Sequence, residues 1–208
     1  MIVSIYKPKG ITSYDVIRML KKKYPGKKIG HGGTLDPLAE GVLVVGIGRE
    51  GTRQLHTVLK GTNKTYIATI ELGKTSETDD AEGPITQMIQ PYDIPSLEDI
   101  QSVLSTFEGS ILQIPPQYSA VKIDGVPAYK RARRGEQFTL KPKQVTINSI
   151  RLLKYEFPVI SFKVVSGSGV YIRSLARDIG VKLKTGAYVT SLVRTAVGSY
   201  DQNEAIHI

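Results

Sequence analysis

The residues best suited to chemistry cluster in one short stretch, "GHGGTLDPLAEG", from Gly30 to Gly41. A histidine, His31, sits among glycines, and Asp36 stands directly before Pro37. Glycines let backbone or ligand approach where a side chain would collide. An aspartate before proline is also a good helix N-cap, since proline suits the first turn and holds the preceding residue extended. Two readings of Asp36 therefore stand side by side. It caps a helix beginning at Pro37, or it is a nucleophile or base fixed on a rigid turn. In the second reading Gly30, Gly32 and Gly33 clear space beside the carboxylate, and His31 supplies a planar polar ring.

A second constellation is "SGSGVYIRSLARDIG". Gly167 and Gly169 make a turn before Tyr171 and Arg173 at a helix start. The helix macrodipole does not favour a cation there, so a carboxylate is expected to hold Arg173. Tyr66 lies on the apolar face of a strand, as a core tyrosine with its hydroxyl at the edge would. The run "RARRG" is either a solvated charge cluster or a loop that contacts RNA. The three histidines, His31, His56 and His207, show no ligand spacing, so no metal is expected. A literal G-x-G-x-x-G, Gly46, Gly48 and Gly51, raises a dinucleotide site with Glu71 as the ribose acid. The short helix after it and the lack of a second βαβ half argue against that class.

The elements that must position these residues follow from pattern. "VSIYKPKG" reads as a strand and turn, followed by a helix with Thr12 and Asp15 in capping-box spacing and Val16, Ile17 and Leu20 on one face. "GVLVVGIG" is a buried strand, "TRQLHTVL" a short helix, and "NKTYIATIELG" a strand with Tyr66, Ala68, Ile70 and Leu72 on one side. "TSETDDAEGP" is an acidic loop. Ser96 and Asp99 cap a helix carrying Leu97, Ile100, Val103, Leu104 and Phe107. "VTINSIRLLKY" and "VISFKVVSG" pair as strands, and a helix with Ile172, Leu175, Ala176, Ile179 and Leu183 precedes a last strand in "SLVRTAVGSY". Strands outnumber helices without regular βαβ alternation, so the class is α+β.

The 208 residues fit one domain with a modest insertion, and no apolar run is long enough to span a bilayer. The start, "MIVSIYKPKG", lacks signal-peptide features, and there is no cysteine for disulfide or thiolate chemistry, so a soluble cytoplasmic protein is expected. Twenty-eight basic against 19 acidic side chains give a net charge of +9, which favours polyanionic partners. The charge is concentrated at Lys21 to Lys28 and Tyr129 to Gln137. Two separate basic surfaces suit an extended nucleic acid better than a single small phosphate ligand.

Six motifs in order, "KPKGITS", "GHGGTLDPLAEGVL", "KTYIATIELG", "PPQYSAVKIDG", "SGSGVYIRSLARDIG" and "LVRTAVGSY", resemble the TruB-type tRNA pseudouridine synthases from about Tyr6 to Tyr200. The resemblance implies isomerisation of uridine 55 in the tRNA T-loop. It also implies the pseudouridine synthase fold, a mixed, largely antiparallel central sheet flanked by helices and loops. Asp36 would be the catalytic aspartate, with His31 supporting the flipped base or its neighbour. Tyr66 would stack on that base, Tyr171 and Arg173 would line the pocket, and Leu192 would pack its apolar wall. If Arg173 pairs with Asp36 it would favour the ionised carboxylate.

Residues 115–138 would help grip the RNA, with Lys9, Lys130, Arg131, Arg133 and Arg134 as contacts. No cofactor is required, because the uracil ring itself carries the developing charge, and nothing demands more than a monomer. Two departures stand out. Relatives usually continue into a PUA-type RNA-binding domain, whereas this chain stops at Ile208, so selection would rest on the T-arm stem-loop within a single catalytic domain. Gly32 occupies a position where many relatives carry threonine. The alternatives are an RNA-binding or chaperone relative without turnover, and a guide-RNA-dependent subunit acting on ribosomal RNA.

Overall fold

The computed structural model describes residues 1–89 and 92–208. The chain forms two compact units, Met1–Ile67 with Lys163–Ser168 and Ser191–Ile208, and Ala68–Phe162 with Gly169–Thr190. Among the described residues there are 14 strands and five α-helices, so the architecture is α+β as expected. No helix among these residues is long and apolar enough to cross a membrane.

In the first unit β1 (Ile2–Lys7) leads through a turn to α1 (Ser13–Lys23), then β2 (Ile29–Gly32), β3 (Glu40–Ile47) and α2 (Gly48–Leu59). The capping box at α1 forms as its spacing predicts: Thr12 accepts from the Asp15 backbone, and Asp15 reaches back to the cap. β3 pairs antiparallel with both β1 and β2. It is buried on both faces, which explains its unbroken apolar sequence. Leu43, Val45 and Ile47 pack with Val16, Ile17 and Leu20 of α1, while Val42 and Val44 face Leu55 of α2. The period-two alternation of a strand divides its residues between the two helices.

The helix read from "TRQLHTVL" begins earlier, at Gly48, so the G-x-G-x-x-G glycines belong to a strand–helix junction. A side chain at Gly46 would come within 2.5 Å of the Gly51 carbonyl oxygen, and one at Gly51 would overlap the Met1 backbone. Close packing accounts for both glycines without a dinucleotide. Glu71 is likewise engaged, with Lys74 at 2.7 Å and the Tyr188 hydroxyl at 2.6 Å.

β4 (Lys64–Leu72) alternates as expected, with Tyr66, Ala68, Ile70 and Leu72 buried. The second unit continues with β5 (Lys74–Ser76), β6 (Ile85–Gln87), α3 (Leu97–Ser105), β7 (Gly109–Gln113), β8 (Lys122–Ile123), β9 (Val126–Pro127), α4 (Ala128–Ala132) and β10 (Lys143–Glu156). Next come β11 (Val159–Ser166), α5 (Ile172–Lys182) and β12 (Ala187–Val197), and the chain closes in the first unit with β13 (Tyr200–Asp201) and β14 (Ile206–His207).

The Ser96–Asp99 capping box starts α3, whose Ile100 and Leu104 are buried. Leu97, expected on the same face, is exposed because it falls in the first turn beside the cap, and Phe107 is buried just past the helix end. Ten strands join in one mostly antiparallel sheet in the order β14-β1-β3-β12-β4-β11-β10-β7, with β13 on β12 and β2 on β3. β1 pairs parallel with β14, and β3 with β12. The Pro-rich segment after β7 carries the β8–β9 hairpin and α4.

Candidate active-site loop and the arginine helix

Asp36 does not cap a helix. Residues 37 and 38 bend, and the chain enters β3 at Glu40, too soon for a helical turn. The Asp36 carbonyl instead accepts from Ala39 N at 3.1 Å, closing a tight turn around Pro37. That turn is pinned on several sides. Gly10 N donates to the Pro37 carbonyl at 2.8 Å, and the Ser13 hydroxyl exchanges two 2.9 Å hydrogen bonds with the Leu35 backbone. The fully buried Lys7 ammonium donates to the carbonyls of Pro8, Ile11 and, at 3.5 Å, Pro37. Buried Leu35, Leu38 and Ala39 root the turn in apolar packing. The motif "KPKGITS" thus acts as a clamp on "TLDPLA", leaving the Asp36 side chain half-buried on a fixed backbone.

The glycines before Asp36 face elsewhere than the sequence implies. At Gly32 a Cβ would overlap the Leu59 side chain, so α2 occupies that space. Near Gly30 the neighbour is Thr52 at 3.6 Å. Gly33 adopts φ +71°, a left-handed conformation that favours glycine, and faces the Arg194 guanidinium at 3.4 Å. The room belongs largely to helix packing and to an arginine.

His31 is paired with Val45 in the β2–β3 ladder, and its Nδ1 is buried without a hydrogen-bond partner among the described residues. Burial, then the Arg194 charge, pull the imidazole below its ordinary pKa, so it stays neutral more readily. Tyr66 and Leu192 are both buried, on β4 and β12.

In the second unit Tyr171 immediately precedes α5 without a side-chain cap. Its backbone is held from both sides by the buried Gln113 amide, which accepts from Tyr171 N at 2.8 Å and donates to its carbonyl at 3.1 Å. Arg173 is buried, donating to the carbonyls of Thr78 at 2.9 Å and Tyr118 at 3.0 Å. The buried Asp80 carboxylate lies 3.5 Å from its Nε. One helical turn on, Arg177 reaches Asp79 at 2.8 Å.

Within the acidic loop Asp79 and Asp80 are buried because two arginines of α5 require counter-charges. Burial pushes the Asp79 carboxyl up to about 6 against the pull of Arg177 and Arg173. Sequence reasoning missed Asp79, Asp80, Arg177 and Gln113. The four-residue spacing of Arg173 and Arg177 on one helix face was the available signal.

A cavity of about 820 Å³ in this unit is lined by Glu77, Asp79 and Arg177, and by residues 135–139. Of the basic residues near it, Lys130, Arg133 and Arg134 are exposed, with Arg133 stacked over Tyr129. Arg131 is turned inward, donating to the Ile123 carbonyl at 3.2 Å and lying 3.4 Å from Asp124, which braces the β8–β9 hairpin. Lys9 is exposed in the turn after β1. In the first unit Lys21, Lys27, Lys28 and Arg49 line another cavity, of about 760 Å³.

The fold is that of the pseudouridine synthases. Over 100% of its length the chain matches 52% of a chain in a solved structure described as "Crystal Structure of a Cbf5-Nop10-Gar1 Complex", with a TM-score of 0.76 and 31% identity. Residues 21–172 match the TruB family pseudouridylate synthase (N terminal domain), and residues 173–208 the tRNA pseudouridylate synthase B C-terminal domain. The chain belongs to the TruB family. A tRNA pseudouridine synthase B of Dehalococcoides mccartyi is 46% identical over 96% of this chain and 66% of its own length. Another, of Syntrophotalea carbinolica, is 43% identical over 99% and 66%. The chain spans about two thirds of the length of these curated relatives.

Proposed function

We propose that this chain isomerises uridine to pseudouridine in tRNA, at position 55 of the T-loop, with Asp36 as the catalytic residue. The observation that carries the reading is the turn at Asp36, clamped by Lys7, Gly10 and Ser13 so that one carboxylate is presented from a fixed backbone. Membership of the TruB family supports assigning pseudouridine formation to that carboxylate. The C1′–N1 bond breaks and a C1′–C5 bond forms, after which the C5 proton leaves and N1 is protonated. Asp36 starts this by attack on C1′, attack on uracil C6, or removal of a ribose proton.

The uridine must leave its stack, at a cost of roughly a few kcal/mol. Stacking on Tyr66, about 1–3 kcal/mol per base, offsets much of it. His31 supports the flipped base or its neighbour, Leu192 packs the apolar wall of the pocket, and Tyr171 and Arg173 line it. The basic segment at 115–138, with Lys9, Lys130, Arg133 and Arg134, contributes salt-sensitive affinity for phosphates. The protein acts as a monomer in the cytoplasm on the T-arm, without metal or organic cofactor.

Unmodified tRNA transcript incubated with the purified protein alone is expected to gain pseudouridine at one position. Asp36→Asn should lower the rate by about a thousandfold or more while sparing RNA binding. Pseudouridine formation at an undiminished rate in that variant would remove Asp36 from the mechanism. A second reading, guide-RNA-dependent action, draws on the similarity to a chain from a Cbf5-Nop10-Gar1 complex. Turnover that appears only with guide RNA and partner proteins would favour it.

A further inference from the structure

Two basic side chains gather beside the Asp36 turn, and no ion pair to either is found among the described residues. Arg194, on β12, is among the largest wholly buried side chains, at 1% exposure. Its Nε donates to the Val42 carbonyl at 2.8 Å and its Nη2 to the Gly33 carbonyl at 2.7 Å. Its Nη1 has no hydrogen-bond partner among the described residues and points at the place where a Gly33 side chain would begin, 3.4 Å away. Lys64, at the start of β4, brings its Cε within 3.7 Å of the same point.

The half-buried Lys64 ammonium makes one hydrogen bond, to the Ser168 hydroxyl at 3.2 Å, and keeps donors to spare. Neither cation has a carboxylate within ion-pair distance among the described residues. Burial and the Arg194 charge together hold Lys64 below its usual pKa, and the same two causes act on His31. Two crowded cations around an unfilled point on a left-handed glycine make a cradle for a small, multiply accepting anion.

The place of the cradle selects the anion. Gly33 precedes Asp36 by three residues, so the two lie within roughly 10 Å of each other along the chain. A nucleotide whose C1′ meets Asp36 carries a phosphate on either side of its own sugar. We propose that Lys64 and the Nη1 edge of Arg194, over Gly33, bind one backbone phosphodiester flanking the target uridine, which fixes the flipped nucleotide through its backbone. This rests on the reading that the chain acts on a flipped uridine. Neither residue is assigned a role by the motifs read from the sequence.

The test uses the full chain and a set of T-arm stem-loops, each with a single neutral methylphosphonate at one linkage around the uridine. Lys64→Met is expected to weaken binding of the natural stem-loop about tenfold and to reduce the salt slope by about one. One neutral linkage should cause the same loss with the unaltered protein and no further loss with Lys64→Met. Unchanged affinity and slope in Lys64→Met, or losses that simply multiply at every linkage, overturn the proposal. Should Lys64→Met not fold, the linkage series on the unaltered protein still decides, since indifference to every flanking linkage overturns it.

Competition by inorganic phosphate, at concentrations too low to screen the RNA, would mark a free-anion site and overturn the assignment to the backbone. Pseudouridine is scored separately. Coupled binding without product leaves the phosphate site standing and removes the proposed activity. Product formation with binding indifferent to Lys64 does the reverse.

Discussion

Among the described residues two arginines are buried, and they are satisfied in opposite ways. Arg173 in the second unit donates to two carbonyls and lies beside the buried carboxylate of Asp80, with Arg177 and Asp79 repeating the arrangement one turn along. Arg194 in the first unit donates to two carbonyls and has no carboxylate beside it among the described residues. The first is a compensated charge, whose cost of burial is met inside the fold. The second fastens the loop that carries Asp36 and leaves part of its charge unanswered. The difference separates a structural brace from a site that is completed by an anion.

The sharpest way to break the comparison is to remove the compensation. Asp80→Ala removes the Asp80 carboxylate from beside Arg173, and strips the Thr78 hydroxyl and the Glu82 backbone of an acceptor. It should destabilise the protein by about 3 kcal/mol or more in chemical denaturation. A cost below about 1 kcal/mol would mean that the pair is not the brace described.

A smaller effect is expected from Arg194→Met, about 1–2 kcal/mol, since the lost hydrogen bonds are partly offset by relief of an uncompensated buried charge. The same variant should raise the His31 pKa, because the nearby positive charge that lowers it is gone. The value should stay below that of an ordinary histidine, because burial is the larger cause. Titration of the imidazole protons by NMR reads this directly.

The smallest effect is a slope. With its folded pKa raised to about 6, Asp79 holds a proton more tightly in the folded than in the unfolded chain. Its contribution is fully present below the ordinary carboxylate pKa and is lost as pH rises through about 6. Asp79→Asn should flatten stability across that window, measured as denaturation midpoints at successive pH values. An unchanged slope would assign the titration to another group.

Much of the fold was legible because it rests on local rules. The capping boxes at Thr12–Asp15 and Ser96–Asp99, the alternation of Tyr66 to Leu72 and the unbroken apolar run of β3 each depend on near neighbours and on a fixed geometric period. The site was less legible. Asp-Pro satisfies the grammar of an N-cap, yet hydrogen bonds from Gly10, Lys7 and Ser13 and the early onset of β3 override it. The glycines around His31 announced close approach without naming what approaches, and Leu59 and Arg194 are distant in sequence. Arg194 itself left one trace, a cation inside the apolar strand "SLVRTAVGSY", which periodicity alone places without a role.

By itself the sequence determined which segments become helix or strand, which faces are buried, and, through six ordered motifs, the family. Those follow from side-chain shape, polarity and spacing along the chain. Only the tertiary structure decided which charges are answered and which are not. Compensation depends on groups far apart in sequence, such as Asp80 with Arg173, and burial makes each such meeting, or its absence, energetically large.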